Sequence, residues 1–238
     1  MSKGVLIFKG MKVGVLPGDL QISVSDDGDK ESKLILSTSY NVVPVWMKIA
    51  YDALKQSKLA SEGIAERWDD NEENQRQLLI DELTPSMQVF SACGIGIDAI
   101  YDTIRPYSNI TQQDIEAWKR NKTSRSKQII EVIRRVYKLN GDTLRDFKSC
   151  LSKIFEYRDK AVHPSLELKN AEARPDIPVG VDWKFSVYRY SNARWCLTNS
   201  INMIAYLYEH KSGIKEVDES LVNIVDALEE LGVVQIRA

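Results

Sequence analysis

The spacing of apolar residues along the chain changes near position 42. Before that point, short runs of aliphatic residues are separated by turn residues, and residues 21–24 alternate polar and apolar side chains. Alternation with a period of two is typical of a half-buried strand, and Pro17-Gly18 and residues 26–29 are typical of turns. We therefore predict a small antiparallel β element with strands at Val5–Phe8, Lys12–Leu16, Leu20–Val24 and Lys33–Ser37.

After position 42 the apolar residues recur every three to four positions, which indicates helices. Thr84-Pro85 is typical of a helix start, because threonine is a good N-cap and proline is favoured at the first helical position. The predicted helices run from Val42 to near Glu66, over Asp69–Glu82, from Pro85 to Pro106, over Gln112–Lys119, through Ile129 up to Asn140, from Asp142 to Pro164, over Val187–Tyr208 and over Glu216–Leu231.

Strands followed by many helices predict a mainly α fold with a small N-terminal antiparallel β element. The pattern divides the chain into three parts. These are a β-rich element at residues 1–40, a helical domain at residues 41–212, and an acidic C-terminal helix at residues 213–238 that packs on the same domain.

Composition excludes several classes of protein. The 238 residues carry a net charge of −2 and include three cysteines, two histidines and no CxxC pair. We therefore do not expect a zinc ribbon, a disulfide scaffold or a histidine-rich metal site. We expect a protein of a reducing compartment. No apolar run reaches the ~20 residues that cross a bilayer, and the sequence starts without a targeting signal. We predict a cytoplasmic protein with no membrane partner, metal or cofactor.

One segment matches the dinucleotide-binding pattern GxGxxG/A, with glycines at 94 and 96 and alanine at 99. That pattern requires a strand before the glycines. Here an apolar stripe with helical spacing continues from Phe90 to Ile104, so the segment is predicted to lie inside a helix. The small residues then serve to let another helix approach closely.

The charges are segregated along the chain. Residues 119–148 hold ten basic and three acidic side chains, a net charge of +7, whereas residues 62–83 and 216–230 each carry a net charge of −6. The basic run is one candidate footprint for RNA phosphates, with Arg134 and Arg135 as contact residues. The alternatives are a solvated helix face, or a surface on which the acidic segments dock within or between subunits.

One of the two histidines lies at the end of a predicted helix. Arg158 comes four positions after Ile154 and seven after Leu151. This arginine therefore lies on the apolar stripe, where a charge is costly unless it is paired or faces a cleft. His163 precedes Pro164, and the residue before a proline disfavours the α conformation, so the helix is expected to end there. The imidazole can then turn back toward the guanidinium.

These residues resemble the motif of the HEPN superfamily, which is an arginine, four to six residues and a histidine, often with a polar residue after the arginine. Here Arg158 is followed by Asp159, and four residues separate it from His163. An apolar helix precedes the motif, and Val162-His163-Pro164 closes it. The resemblance covers the helical region, residues 42–210, and excludes the β element and the acidic tail.

The resemblance implies a HEPN-like helical bundle that acts as a metal-independent endoribonuclease, with two motifs at the shared cleft of a homodimer. In that role His163 takes a proton from a ribose 2′-hydroxyl, and Arg158 holds the scissile phosphate. Asp159 orients either group, and Lys160 holds the RNA backbone. The resemblance further implies a role in phage defence or in a toxin–antitoxin pair with a cognate protein partner.

Two alternatives stay open. In the first, the protein belongs to a different class, a noncatalytic dimeric α-helical module that binds protein or RNA through the same cleft. At the level of residues, Arg158 would then pair with a buried acid such as Asp98 or Asp102, and His163 would cap the last carbonyls of its helix.

Overall fold

The computed structural model describes residues 5–7, 10–24, 27–28, 30–163 and 168–234. The chain divides into two compact units, residues 1–42 and residues 43–238. The fold is mainly α with a small antiparallel β element, as the pattern of apolar residues predicts.

The N-terminal unit is a long antiparallel hairpin. Its strands are β1 (Met11–Gly14), β2 (Leu20–Val24), β3 (Lys30–Leu34) and β4 (Ser37–Tyr40). Strand β1 pairs with β4, and β2 pairs with β3 in a register that sets Leu20 opposite Leu34. Asp19 joins the two paired regions, because its carboxylate accepts a hydrogen bond of 3.0 Å from the Ser37 hydroxyl and its carbonyl accepts one of 2.8 Å from the Ile35 amide.

The predicted strands agree with the hairpin only in part. Leu20–Val24 is confirmed with its bounds, but every side chain of this strand is exposed rather than half-buried. The predicted strand Lys33–Ser37 is wrong, since it spans the end of β3 and the start of β4. Residues 5–7 have no strand structure, and residue 8 lies outside the described residues.

The second unit is helical. Its helices are α1 (Val43–Ser61), α2 (Ile64–Arg67), α3 (Glu72–Ile104), α4 (Gln112–Arg120), α5 (Arg125–Tyr137), α6 (Gly141–Val162), α7 (Trp183–Val187), α8 (Tyr190–His210) and α9 (Lys215–Glu230). A 3₁₀ turn at Arg105–Tyr107 follows α3, and β5 (Glu172–Ala173) pairs with β6 (Gly180–Val181) in the loop before α7. Among the described residues, none of these helices is long and apolar enough to cross a membrane.

Helix α3 corrects the prediction of two helices that meet at Thr84-Pro85. It is one helix of 33 residues, and its N-cap is Asn71, whose side chain accepts hydrogen bonds from the amides of Glu73 and Asn74. Proline inside a helix removes one backbone hydrogen bond. The buried face on both sides of Pro85 keeps the two halves in line. Tertiary packing therefore overrides the local start signal.

Helix α3 is also the centre of the core, since α1, α5, α6, α7, α8 and α9 all contact it. The two glycines of the GxGxxG/A match lie in the middle of this helix, with no strand before them. A Cβ atom built on Gly94 would lie 2.5 Å from Arg158 Cδ of α6, and one on Gly96 would lie 2.5 Å from Met47 Cε of α1. The small residues thus admit two neighbouring helices, as predicted.

Candidate functional site

The candidate site lies at the C-terminal end of α6. This helix buries Phe147, Leu151, Ile154 and Phe155, and these residues form its contact with the core. Its last helical residue is Val162, and His163 is the C-cap with φ −118° and ψ 77°. The helix ends at the residue before the proline, as predicted.

Arg158 lies between the core and the surface. Its side chain is 20% exposed, and its stem packs over the backbone of α3 at Gly94. The guanidinium carbon lies 4.4 Å from the centre of the Phe155 ring, which lies one turn earlier in α6. The Arg158 Nε and Nη2 atoms donate hydrogen bonds of 2.9 Å and 2.6 Å to Asp159 Oδ1. A charge on the apolar stripe is thus tolerated because its head reaches the surface and is paired.

The pairing of Arg158 with Asp98 or Asp102 is wrong. Those two carboxylates accept hydrogen bonds of 2.5 Å and 3.4 Å from Arg125, the first residue of α5. The Arg125 guanidinium carbon also lies 3.9 Å from the centre of the Tyr101 ring. Arg125 therefore occupies the position beside α3 that the sequence suggested for Arg158.

His163 is exposed, and its backbone amide donates a hydrogen bond of 2.8 Å to the Asp159 carbonyl. Within residues 30–163 and 168–234, its imidazole makes no hydrogen bond to Arg158, to Asp159 or to a carbonyl at the end of α6. The structure therefore brings the side chains of Arg158 and Asp159 together, and places His163 at the same end of α6 with no side-chain hydrogen bond to either.

Lys160, the third charged residue of the motif, faces aromatic rings. Its Nζ atom pairs with Glu156 and lies 5.5 Å from the centre of the Tyr157 ring and 5.6 Å from that of Trp183. Its side chain is 38% exposed. The ammonium is accessible to a ligand, and it is held by one ion pair and by cation–π contacts.

Arg134 and Arg135, on α5, share the carboxylate of Glu131. Arg134 donates two hydrogen bonds of 2.8 Å and 2.7 Å to it, and Arg135 donates one of 2.8 Å. Arg135 also donates to both oxygens of Asp114 on α4, at 3.1 Å and 3.2 Å, and to the carbonyl of Asn109. These arginines lower the pKa of Glu131 and of Asp114 to about 2. Arg135 therefore links α5 to α4.

The sequence analysis missed a buried ion pair between Glu82 on α3 and Arg174 in the loop before α7. The two side chains are 3% and 2% exposed, and Nη2 of Arg174 donates to Glu82 at 2.8 Å. Arg174 also pairs with Asp176 and donates to the Phe185 carbonyl at 2.9 Å, and Glu82 accepts from the Tyr190 amide at 2.8 Å. The position of Glu82 on the apolar stripe could have indicated a buried, paired carboxylate. Its partner could not be predicted, because Arg174 lies in a segment without periodicity.

The three cysteines also come together, although they lie far apart in the sequence. Cys93, Cys150 and Cys196 are free thiols on α3, α6 and α8. Burial raises the pKa of Cys150 to about 11, and burial together with the neighbouring Cys93 raises the pKa of Cys196. The thiols of Cys150 and Cys196 therefore stay protonated at neutral pH, which makes them poor nucleophiles.

A cleft of about 260 Å³ opens beside the Arg158–Asp159 pair, between α5 and α6. Three serine hydroxyls line it together with Phe155 and the Asp159 carboxylate; the serines are Ser124, Ser126 and Ser152. Among the described residues, no group of three or more His, Cys, Asp or Glu side chains is arranged to hold a metal ion.

The chain was compared with models of known protein families, with curated protein sequences and with solved structures. None of the three comparisons found a match. The geometry of the site therefore carries the functional argument.

Proposed function

We propose that this protein is a HEPN-like metal-independent endoribonuclease whose site is the C-terminal end of α6. One observation carries the proposal. The stem of Arg158 is fixed against α3 at Gly94 and its head is held by Asp159, while His163 is exposed at the same helix end. A fixed guanidinium can stabilise the charge that develops on a phosphate, and an accessible imidazole can act as a general base, which are two functions that RNA cleavage without a metal can use.

The cleavage is a transesterification. His163 removes the proton of a ribose 2′-hydroxyl, and the 2′-oxygen forms a bond to phosphorus. The bond from phosphorus to the 5′-oxygen of the next nucleotide breaks, that oxygen takes a proton from water as it leaves, and protonated His163 returns its proton to the solvent. The Arg158 guanidinium binds the phosphate oxygens, on which negative charge develops. The products are a 5′-hydroxyl and a 2′,3′-cyclic phosphate, which hydrolysis opens to a 3′-phosphate.

The proposed active form is a homodimer. Because the imidazole of His163 makes no hydrogen bond to Arg158 within one chain, a second copy of α6 across a shared cleft would supply the remaining contacts. The proposed setting is the cytoplasm, in phage defence or in a toxin–antitoxin pair with a cognate protein partner. Sedimentation as a strict monomer at micromolar concentration would contradict the shared cleft.

The test uses the two histidines of the chain as a matched pair. The protein is incubated with total RNA in EDTA, and the fragment ends are identified. We expect cyclic phosphate or 3′-phosphate ends, and a loss of about 10²-fold or more in rate for His163→Ala, the range of general acid–base catalysis. His210→Ala is the control, because the His210 ring stacks on Tyr206 at 3.7 Å within α8. Equal cleavage by His163→Ala and the unmodified protein would contradict the assignment.

A second candidate function is a noncatalytic dimeric module that binds RNA or protein. The observation that favours it is the hydrogen bonding of Arg158 and His163. Asp159 already accepts two of the hydrogen bonds that Arg158 can donate, and no hydrogen bond, ion pair or ring contact with a described residue orients the His163 imidazole. Binding of intact RNA without the expected fragment ends would favour this candidate.

A further inference from the structure

A groove lined by serine, charged and apolar side chains runs between α5 and α6 and ends at the candidate site. It consists of two adjoining cavities of about 330 Å³ and 260 Å³, and Ser126 and Ser152 line both. Because a short loop joins these helices, they run antiparallel. The groove extends from Lys148 at one end to Asp159, the partner of Arg158, at the other.

Two lysines stand on opposite walls of this groove, Lys127 on α5 and Lys148 on α6. Both are exposed. Neither makes a hydrogen bond or an ion pair with another residue in the described parts of the chain. Their charges are therefore available to a ligand in the groove.

The carboxylates of the groove do not offset these lysines. Glu131 is bound by Arg134 and Arg135, Glu156 pairs with Lys160, and Asp159 pairs with Arg158. The hydrogen bonds from Arg134 hold the pKa of Glu131 near 2, so this carboxylate stays charged and paired at neutral pH. The remaining cation of the lining, Arg125, is bound to Asp98 and Asp102. The charges without a partner in the groove are thus both positive.

We propose that this groove binds the phosphodiester backbone of single-stranded RNA and leads it to Arg158. Two separated ammonium groups match the spaced charges of a nucleic-acid backbone, and serine hydroxyls donate hydrogen bonds to phosphate oxygens. Axes of packed helices lie about 8–10 Å apart, so the groove between them admits one strand but no duplex. This inference rests on the proposed function, because it names the substrate of the same site and its path.

The test measures binding apart from cleavage. The probe is a fluorescein-labelled 12-nucleotide RNA with 2′-O-methyl groups throughout, which lacks the nucleophile for cleavage. Fluorescence anisotropy gives its Kd for the full chain over a series of NaCl concentrations. Lys127→Gln/Lys148→Gln is expected to raise Kd about tenfold and to reduce the slope of log K against log [salt] by about 1.4, since each phosphate contact on a single strand contributes about 0.7.

The matched control is Lys55→Gln/Lys153→Gln, which removes the same charge from exposed positions of α1 and α6 that do not line the groove. It is expected to leave the salt slope unchanged. Equal Kd values and slopes for the two double variants would overturn the proposal. A second outcome would also overturn the proposal. If the binding of a polyglutamate peptide depends on Lys127 and Lys148 but the binding of RNA does not, the groove binds an acidic protein instead.

Failure of the groove and failure of the nuclease give different results. Suppose that His163→Ala cleaves RNA like the unmodified protein but Lys127→Gln/Lys148→Gln binds RNA more weakly. The groove is then supported as the RNA-binding site, and the catalytic assignment of His163 is wrong. If cleavage depends on His163 but RNA binding does not depend on either lysine, the catalytic assignment is supported and the groove is not the RNA-binding site. Absence of RNA binding by the unmodified protein would overturn both.

Discussion

Gly94 determines where the stem of Arg158 can lie. A Cβ atom at this position would lie 2.5 Å, 3.1 Å and 3.3 Å from Cδ, Cγ and Cβ of Arg158. Since the contact includes atoms close to the backbone of α6, the arginine cannot avoid it by rotating its end. Gly96 differs, because a Cβ there meets at 2.5 Å the terminal methyl group of Met47, which can move.

This contact predicts a coupling between positions 94 and 158. Glycine in a helix interior costs about 1 kcal/mol relative to alanine. Gly94→Ala should therefore stabilise the Arg158→Ala protein by about 1 kcal/mol, but should not stabilise the unmodified protein, where the stem is in the way. Urea unfolding of the four proteins measures the coupling, and RNA cleavage is expected to fall in Gly94→Ala. Gly96→Ala is the control. If Gly94→Ala raises the free energy of unfolding equally with and without Arg158, the predicted contact is wrong.

The sequence predicted part of this site and missed the rest for a physical reason. The helical spacing was enough to place Arg158 on the apolar stripe and His163 at a helix end. The partner of the guanidinium depended on the direction of the side chain, which in a helix points toward the preceding turn. The guanidinium of Arg158 lies over the ring of Phe155, one turn earlier, and donates to Asp159, the next residue.

At the scale of elements, Asp114 has two structural roles. Its carboxylate accepts hydrogen bonds of 2.9 Å and 3.0 Å from the amide and hydroxyl of Thr111, which completes the capping box of α4. The same carboxylate binds Arg135 of α5. The cap of one helix and its link to the next therefore depend on a single charged group.

This link predicts a stability that depends on pH. The pKa of Asp114 and of Glu131 is lowered in the folded protein to about 2. A lowered pKa gives stability above the ordinary carboxyl pKa of about 4, and this stability disappears as the pH falls toward 2. Arg135→Met should lower the melting temperature at pH 7 and have a clearly smaller effect at pH 2.5, where part of the charge-dependent stability is already lost.

Arg145→Met is the control for this prediction, because Arg145 and Asp142 form an exposed pair one turn apart. Such a pair contributes little to stability. Thermal unfolding followed by circular dichroism at pH 7, 4 and 2.5 measures both variants. A penalty for Arg135→Met that is equally large at pH 2.5 would show that packing, not charge, is lost.

Sequence patterns and structure agree best for elements whose signals are local. Helices α4, α5, α6, α8 and α9 and strand Leu20–Val24 follow from spacing, caps and turn residues, whereas the short helix α7 was not predicted. The break at Thr84-Pro85 was predicted wrongly, because the packing that holds α3 together comes from residues far away in the sequence. The same limit applies to the Glu82–Arg174 pair, whose partners are 92 positions apart.

For the molecule as a whole, the net charge of −2 is the sum of segregated charges. The structure shows how much of the basic run is neutralised locally. Four of its arginines pair with carboxylates between positions 98 and 142; these are Arg125, Arg134, Arg135 and Arg145. The positive charge that remains for a ligand is therefore carried mainly by lysines, and Lys127 and Lys148 are the two that line the groove.

Pro85 has a consequence for how the helical unit opens. Because proline has no amide hydrogen, the Asp81 carbonyl lacks its donor in α3, and the hydrogen-bonded ladder is interrupted there. The half from Glu72 to Asp81 can therefore unwind without disturbing the half that carries Gly94. We expect hydrogen exchange of residues 72–81 at a lower free energy than that of residues 89–104, which should exchange only on global unfolding.

Pro85→Ala supplies the missing donor and should bring the protection of the two halves closer together. Equal protection in the unmodified protein would mean that α3 opens as one unit. With the two halves separate, local opening near Glu82 exposes the Arg174 ion pair to water while the support of Arg158 stays in place.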